Sequence, residues 1–177
     1  MDLDAGIEAL RQAVRDVPDF PKPGIVFKDI TPLLQDARLL RRTVDYMAVL
    51  CGQQLVDKVV SIESRGFIFG GLLAERLGCG FVPVRKPGKL PADTLSASYE
   101  LEYGTDTIEI HADALGEGER VLVLDDVIAT GGTAHAAGEL VARLKARVVA
   151  YAFLIELGFL NGRQKLAGQP VLSLIRY

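Results

Sequence analysis

The sequence predicts an α/β domain in which a parallel sheet is flanked by helices, with a flexible hairpin lid and an N-terminal cap. Three observations carry this expectation. Short apolar runs at 58–62, 81–84, 121–125, 148–155 and 171–175 read as strands, and helical patterns alternate with them, as in sheets covered on both faces. Residues 98–111 alternate around Gly104-Thr105-Asp106, the pattern of a hairpin. Pro18, Pro21, Pro23 and Gly24 forbid a helix between the first two helical patterns. At 177 residues, 49% of them hydrophobic, the chain should form one domain over 1–177, with the cap at about 1–35 and the lid at about 85–111.

Each element has its own reason. Leu3, Ile7, Leu10 and Val14 recur at helical spacing, so the first helix should reach about Arg15. An extended segment follows through Asp29. A second helix is expected over 36–53, with Leu40, Val44, Met47 and Cys51 on its inner face. The strand at 58–62 leads through Glu63-Ser64-Arg65-Gly66 into a helix over 67–77. Residues 85–93, basic and rich in Pro and Gly, should form an exposed loop before the hairpin. The strand at 121–125 feeds a helix over 133–145. A strand at 148–155, a short helical piece at 160–166 and a last strand at 171–175 complete the chain.

Composition narrows the function. A net charge of −3 argues against a nucleic-acid binder held by phosphate contacts. No apolar run reaches the length of a membrane span, and Met1-Asp2-Leu3-Asp4 lacks a basic signal-peptide region, so a cytoplasmic enzyme or regulator is expected. Cys51 and Cys79 sit among apolar residues without metal-ligand spacing and read as buried free thiols.

Residues 121–134 are the most informative stretch. An apolar strand ends at Asp125 and Asp126, where open α/β sheets bind ligands. Ala129, Thr130, Gly131, Gly132 and Thr133 then form a turn whose small side chains let backbone N–H groups close around an anion, aided by the dipole of the helix that follows. A P-loop is excluded, because Gly88-Lys89 has Pro83 and Leu90 where a glycine and a hydroxyl are needed. Gly78-Cys79-Gly80 lacks the third glycine of a dinucleotide fingerprint, and Gly116-Glu117-Gly118 precedes its strand.

This strand, acidic pair and Thr-Gly-Gly-Thr loop resemble the signature of type I phosphoribosyltransferases. The resemblance implies that the loop holds the 5′-phosphate of phosphoribosyl pyrophosphate (PRPP) and that the acids address the ribose hydroxyls, donors that carboxylates accept well. Ser64-Arg65-Gly66 ends a strand at the same rim, where Arg65 would suit pyrophosphate or pair with Glu63. Arg85, Lys86 and Lys89 form either a solvated charge run or a lid that keeps water from a reactive sugar cation. In the hairpin, Glu100 and Glu102 share one face, and composition alone does not choose between them.

Further stretches resemble the adenine phosphoribosyltransferases: the run from Pro18 to Pro32, Ser64-Arg-Gly-Phe, Arg85-Lys-Pro-Gly-Lys-Leu-Pro and Ser98-Tyr-Glu-Leu-Glu-Tyr-Gly. With the PRPP loop they stand in the family's order over about residues 17–135. The resemblance implies a type I phosphoribosyltransferase fold and the reaction adenine + PRPP → AMP + pyrophosphate. Ala129 to Thr133 would hold the 5′-phosphate, Asp125 and Asp126 the ribose diol, and Arg65 and Lys86 the pyrophosphate. Phe27 and Val127 would sandwich adenine while backbone groups of Val26 and Lys28 read its edge. Glu102 matches the position proposed for proton handling at the purine. Mg²⁺ would be held by PRPP and water, with no direct protein ligand, and the chain would form a homodimer. His111 and His135 match no family site and read as surface residues, and Glu63 receives no role beyond supporting its loop. A fold-sharing regulator or a different base specificity are the rival readings; the acidic balance speaks against the first and the cap motif against the second.

Overall fold

A computed structural model describes residues 3–52, 54–100 and 104–177. The chain divides into two compact units, Met1–Tyr46 and Met47–Tyr177.

In the first unit, helix α1 covers Leu3–Ala13 and stops two residues before the expected end, because Arg15 already belongs to strand β1, Arg15–Pro18. β1 pairs antiparallel with β2, Val26–Asp29, so the proline-rich segment is a two-stranded ribbon rather than a single extended cap. Ion pairs join its two strands, Arg15 to Asp29 at 2.5 Å and Lys28 to Asp16 at 2.6 Å. A helix that the periodicity missed, α2 over Thr31–Gln35, follows directly and packs on α1. Five residues are too few to register a 3.6-residue repeat. Asp29 fixes its start by accepting from the backbone N–H and hydroxyl of Thr31, at 2.9 and 2.6 Å. Those hydrogen bonds, with Arg15, hold the Asp29 carboxyl down at about 2. Asp36 then caps α3, Ala37–Cys51, by accepting from Arg38 N and Leu39 N at 2.7 and 3.1 Å.

The second unit is built on five parallel strands in the order β4-β3-β7-β8-β9: β3 Lys58–Ile62, β4 Gly80–Val84, β7 Arg120–Ile128, β8 Arg147–Glu156 and β9 Val171–Arg176. Helix α4, Gly66–Leu77, connects β3 to β4, and α5, Gly132–Arg143, connects β7 to β8. The two crossovers run outward in opposite directions, and right-handed crossovers of opposite direction place their helices on opposite faces. Val60, Val121 and Val123 accordingly share a core with Ala136, Ala137 and Leu140 of α5, and with Ile108 and Ile110. On the other face Gly70 of α4 approaches Ser61 so closely that a Cβ there would stand 2.5 Å from the serine Cβ.

The hairpin consists of β5, Thr94–Glu100, and β6, Thr105–His111. Its first strand starts four residues earlier than expected, and Thr105 and Asp106 pair within β6 instead of forming the turn. Backbone pairing also carries β7 through both aspartates to Ile128, three residues past its expected end at Asp125. The helical piece near the C-terminus is two 3₁₀ turns, Gly158–Leu160 and Gly162–Leu166. Cys51 is buried but Cys79 is only half-buried, and both are free thiols. His135 is exposed as expected, whereas His111 is half-buried rather than a surface residue.

Asp29 carries the clearest pH dependence of the first unit. Its carboxyl is depressed on folding, so its contribution is present above the ordinary carboxylate range near pH 3.9 and is lost as pH falls through about 2. Asp29→Ala is expected to cost about 1–2 kcal/mol at pH 7, the scale of hydrogen bonds to a charged acceptor, and nearly nothing near pH 2. Denaturant melts at both pH values check this; an equal cost at both would contradict it.

Candidate active site

The site lies where the winding of the sheet reverses, between β3 and β7. Their last paired rung is Ser61 with Leu124. Beyond it β3 turns into Glu63-Ser64-Arg65-Gly66 and α4, while β7 continues with β8 alone. The β3-side edge of β7 is therefore open from Asp125 onward, the crevice in which α/β sheets place ligands.

Two carboxylates occupy this crevice, Asp125 at 8% and Asp126 at 4% exposure. Asp125 Oδ1 accepts from Ser64 Oγ at 2.5 Å and from Asp126 N at 2.8 Å. Ser64 Oγ in turn accepts from Gly66 N at 2.8 Å. Arg65 Nε stands 2.6 Å from Asp126 Oδ2, an ion pair without hydrogen-bond alignment. Burial, and then the charge of Asp126, push Asp125 well above the usual carboxylate range. The rim thus favours ligands that donate hydrogen bonds or bring positive charge. Gly66 is required by close approach, since a Cβ would stand 2.8 Å from Asp125 Oδ1 and 3.0 Å from its Cα.

Downstream of the acids, Gly131 adopts φ +80°, a left-handed conformation that favours glycine, and α5 begins at Gly132 with no side chain capping its N-terminus. The free first turn and the helix dipole make this a place for an anion. Space is tight. A Cβ on Gly131 would overlap the Gly162 carbonyl, and one on Gly132 would stand 3.3 Å from the Glu100 carbonyl oxygen. Beside this turn lies a cleft of about 440 Å³ lined by Tyr99, Glu100, Gly132, His135, Glu139 and Lys165, among others.

The basic loop is anchored at its base. Glu63 accepts from Arg85 Nη2 at 2.9 Å and from Lys86 N at 2.8 Å, which ties the end of β3 to the start of the loop. Arg85 and Lys86 together hold the Glu63 carboxyl below its usual range. Arg85 also exchanges both backbone hydrogen bonds with Glu109 of β6. The Lys86 ammonium pairs with Asp106, and the Tyr99 hydroxyl donates to the same carboxylate at 3.2 Å.

Comparison with known proteins agrees with this geometry. The phosphoribosyl transferase domain profile matches residues 37–167. An adenine phosphoribosyltransferase of Carboxydothermus hydrogenoformans is 56% identical over 168 residues, covering 95% of this chain and 99% of that one. The chain belongs to the adenine phosphoribosyltransferases. A family structure from Thermoanaerobacter pseudethanolicus superposes with a TM-score of 0.94 at 53% identity, covering 97% of this chain and 99% of that one. Another, from Saccharomyces cerevisiae in complex with D-2,5-dideoxy-2,5-imino-altritol 1,6-bisphosphate and adenine, gives 0.91 at 43% identity, with coverage of 97% and 99%.

Of the residues singled out in the sequence, Arg65, Asp125, Asp126 and Ala129 to Thr133 converge on the rim of the sheet. Lys86 starts the loop beside Glu63, with its ammonium on Asp106. Val127 is half-buried on β7. Val26, Phe27 and Lys28 lie on β2 of the first unit, where Val26 is exposed, Phe27 meets Phe20 edge-on at 5.1 Å and Lys28 is paired with Asp16. Glu102 lies outside the described residues. Sequence reasoning gave Glu63 a loop-supporting role without its partners Arg85 and Lys86, and it missed Asp106 and the turn at Asn161-Gly162 behind the glycine loop. The Asn-Gly pair is a readable turn signal. Nothing in one sequence says what the turn touches.

Gly66→Ala tests the rim directly. It is expected to displace Asp125 and to cost about 1–3 kcal/mol in denaturant melts, the scale of an overpacked contact. A melt within about 0.5 kcal/mol of wild type, the range of a neutral surface change, would contradict the close approach.

Proposed function

We propose that the chain transfers the 5-phosphoribosyl group of PRPP to N9 of adenine, forming AMP and pyrophosphate, as in purine salvage. One observation carries the reading: an acidic pair and a glycine turn that opens a helix stand together at the reversal of the sheet, in a chain 56% identical to an adenine phosphoribosyltransferase. Ala129, Thr130, Gly131, Gly132 and Thr133 take the 5′-phosphate on backbone N–H groups and hydroxyls. Asp125 and Asp126 accept the ribose 2′- and 3′-hydroxyl protons. Arg65 and Lys86 address the pyrophosphate, each exchanging a carboxylate, Asp126 or Asp106, for a phosphate oxygen.

In the reaction the bond from C1′ to the pyrophosphate oxygen breaks with its electron pair leaving on oxygen, and the N9 lone pair forms the new bond to C1′. Positive charge develops on the ribose between these events, close to the two rim carboxylates. Glu102 takes the proton that adenine loses. For adenine, the family resemblance assigns Phe27 and Val127 to the purine ring and backbone groups of Val26 and Lys28 to its edge. The rim acids are engaged by Ser64 and Arg65, and Mg²⁺ brought in with PRPP and water would neutralise the leaving group. The Glu63 clamp on Arg85 and Lys86 keeps the base of the loop beside the rim, so closure over the substrates needs movement only beyond it. A cytoplasmic homodimer completes the reading, and among the described residues no helix is long and apolar enough to cross a membrane.

The test is an assay of AMP and pyrophosphate formation with PRPP, Mg²⁺ and each nucleobase in turn. Turnover with adenine is expected; turnover only with hypoxanthine, guanine or a pyrimidine would overturn the specificity, and nucleotide binding without turnover would favour a regulator. Glu102→Ala is expected to lower kcat by about 10²–10⁴-fold, the range of a lost general acid–base, with a much smaller change in adenine KM. Equal losses in both would make Glu102 a binding residue.

A further inference from the structure

Behind the anion site a second glycine turn presses on the first. Asn161 stands in the left-handed region at φ 54° and directs the chain into Gly162, which is buried. A Cβ on Gly162 would overlap the carbonyl oxygen of Ala129 and stand 2.8 Å from Gly131 N. The reverse also holds, because a Cβ on Gly131 would overlap the Gly162 carbonyl oxygen. Two backbones some thirty residues apart therefore meet with no side chain between them. Movement of the 161–163 turn must be felt by the 129–133 loop.

The turn is itself fixed from behind. Glu156, 3% exposed at the end of β8, accepts from Arg163 Nε at 3.0 Å and Nη2 at 2.5 Å, and from Ser173 Oγ at 2.6 Å. Arg163 Nη1 donates to the Val171 carbonyl at 2.6 Å, so one guanidinium spans the edges of β8 and β9. Arg163 and Ser173 hold the Glu156 carboxyl below its usual range. Leu157 N donates to the Ile128 carbonyl at 3.0 Å, one residue before the loop begins. The strand that delivers the loop is thus hydrogen-bonded to the residue that follows Glu156 of the clamp.

We propose that the 161–163 turn, held by the Glu156–Arg163 fork, is a positioning element that sets the shape of the 129–133 loop and so the strength with which the chain holds the 5′-phosphate of PRPP and AMP. This rests on the reading that 129–133 bind that phosphate. Gly162 and Arg163 act through the backbone of Ala129 and Gly131. Their effect falls on ligands that carry the phosphate, and adenine is unaffected.

Gly162→Ala and Arg163→Lys test it; the lysine keeps the charge opposite Glu156 but loses the fork. Calorimetry with AMP and steady-state kinetics with PRPP and adenine supply the readout. Gly162→Ala is expected to raise the AMP Kd and the PRPP KM by about tenfold or more, the scale of a small misplacement of binding groups, with kcat and adenine KM within about threefold of wild type. Arg163→Lys should shift the same two constants in the same direction, and it decides the matter if Gly162→Ala does not fold. AMP and PRPP constants at wild-type values in the folded variants would overturn the proposal, as would equal losses in every constant. Gly132→Val separates the two readings. If it abolishes AMP binding while Gly162→Ala and Arg163→Lys bind normally, only the positioning role fails; if it binds AMP normally, the loop assignment itself fails.

Discussion

The reversal of sheet winding between β3 and β7 is the constraint on which the site depends. Up to Ser61 and Leu124 the two strands are locked in parallel register. One rung later they part, because β3 must turn into α4 on one face while β7 runs on towards α5 on the other. The split leaves the end of β7, Asp125 to Ile128, with β8 as its strand partner on one side and an open edge on the other. A chain can place polar groups there without breaking a ladder on the open side. Ser64, Arg65 and Gly66 face these residues because the same reversal ends β3 at that height.

The electrostatics follow from that geometry. Two adjacent carboxylates in a buried rim repel, and burial penalises both charges. Ser64 and the Asp126 amide answer this at Asp125, and Arg65 answers it at Asp126. These partners also describe what the rim is prepared to receive, namely hydroxyl donors and a centre of positive charge. The same economy recurs in the loop at 85–89, where Lys86 rests on Asp106 and Glu63 secures the backbone. In the proposed reaction these cations would exchange their carboxylates for phosphate oxygens.

Much of this was legible in the sequence where local chemistry repeats a period or a motif. Buried strands, the hairpin, α4 and α5 are written in apolar runs and turns, and the strand–acids–glycine motif marks the uncapped start of α5 as a candidate anion site. What escaped was short or non-local. α2 and the β1–β2 ribbon are four or five residues each, below the span in which periodicity speaks. β7 was expected to end at its carboxylates because hydropathy ends there, yet the ladder needs only backbone groups and continues to Ile128. Glu63 finds Arg85, Lys86 finds Asp106 and Gly162 finds Gly131 only through the topology, and no pattern along the chain encodes those meetings. The proposal that Val26, Phe27 and Lys28 meet adenine rests on family resemblance, since nothing in their spacing points to a purine.

The most direct measurement of the central claim is a crystal structure of the chain with AMP bound. The account requires the 5′-phosphate to lie against the backbone of 129–133 at the start of α5, with the ribose 2′- and 3′-hydroxyls donating to Asp125 and Asp126. A nucleotide bound elsewhere on the sheet, or bound with its ribose turned away from both aspartates, would contradict it.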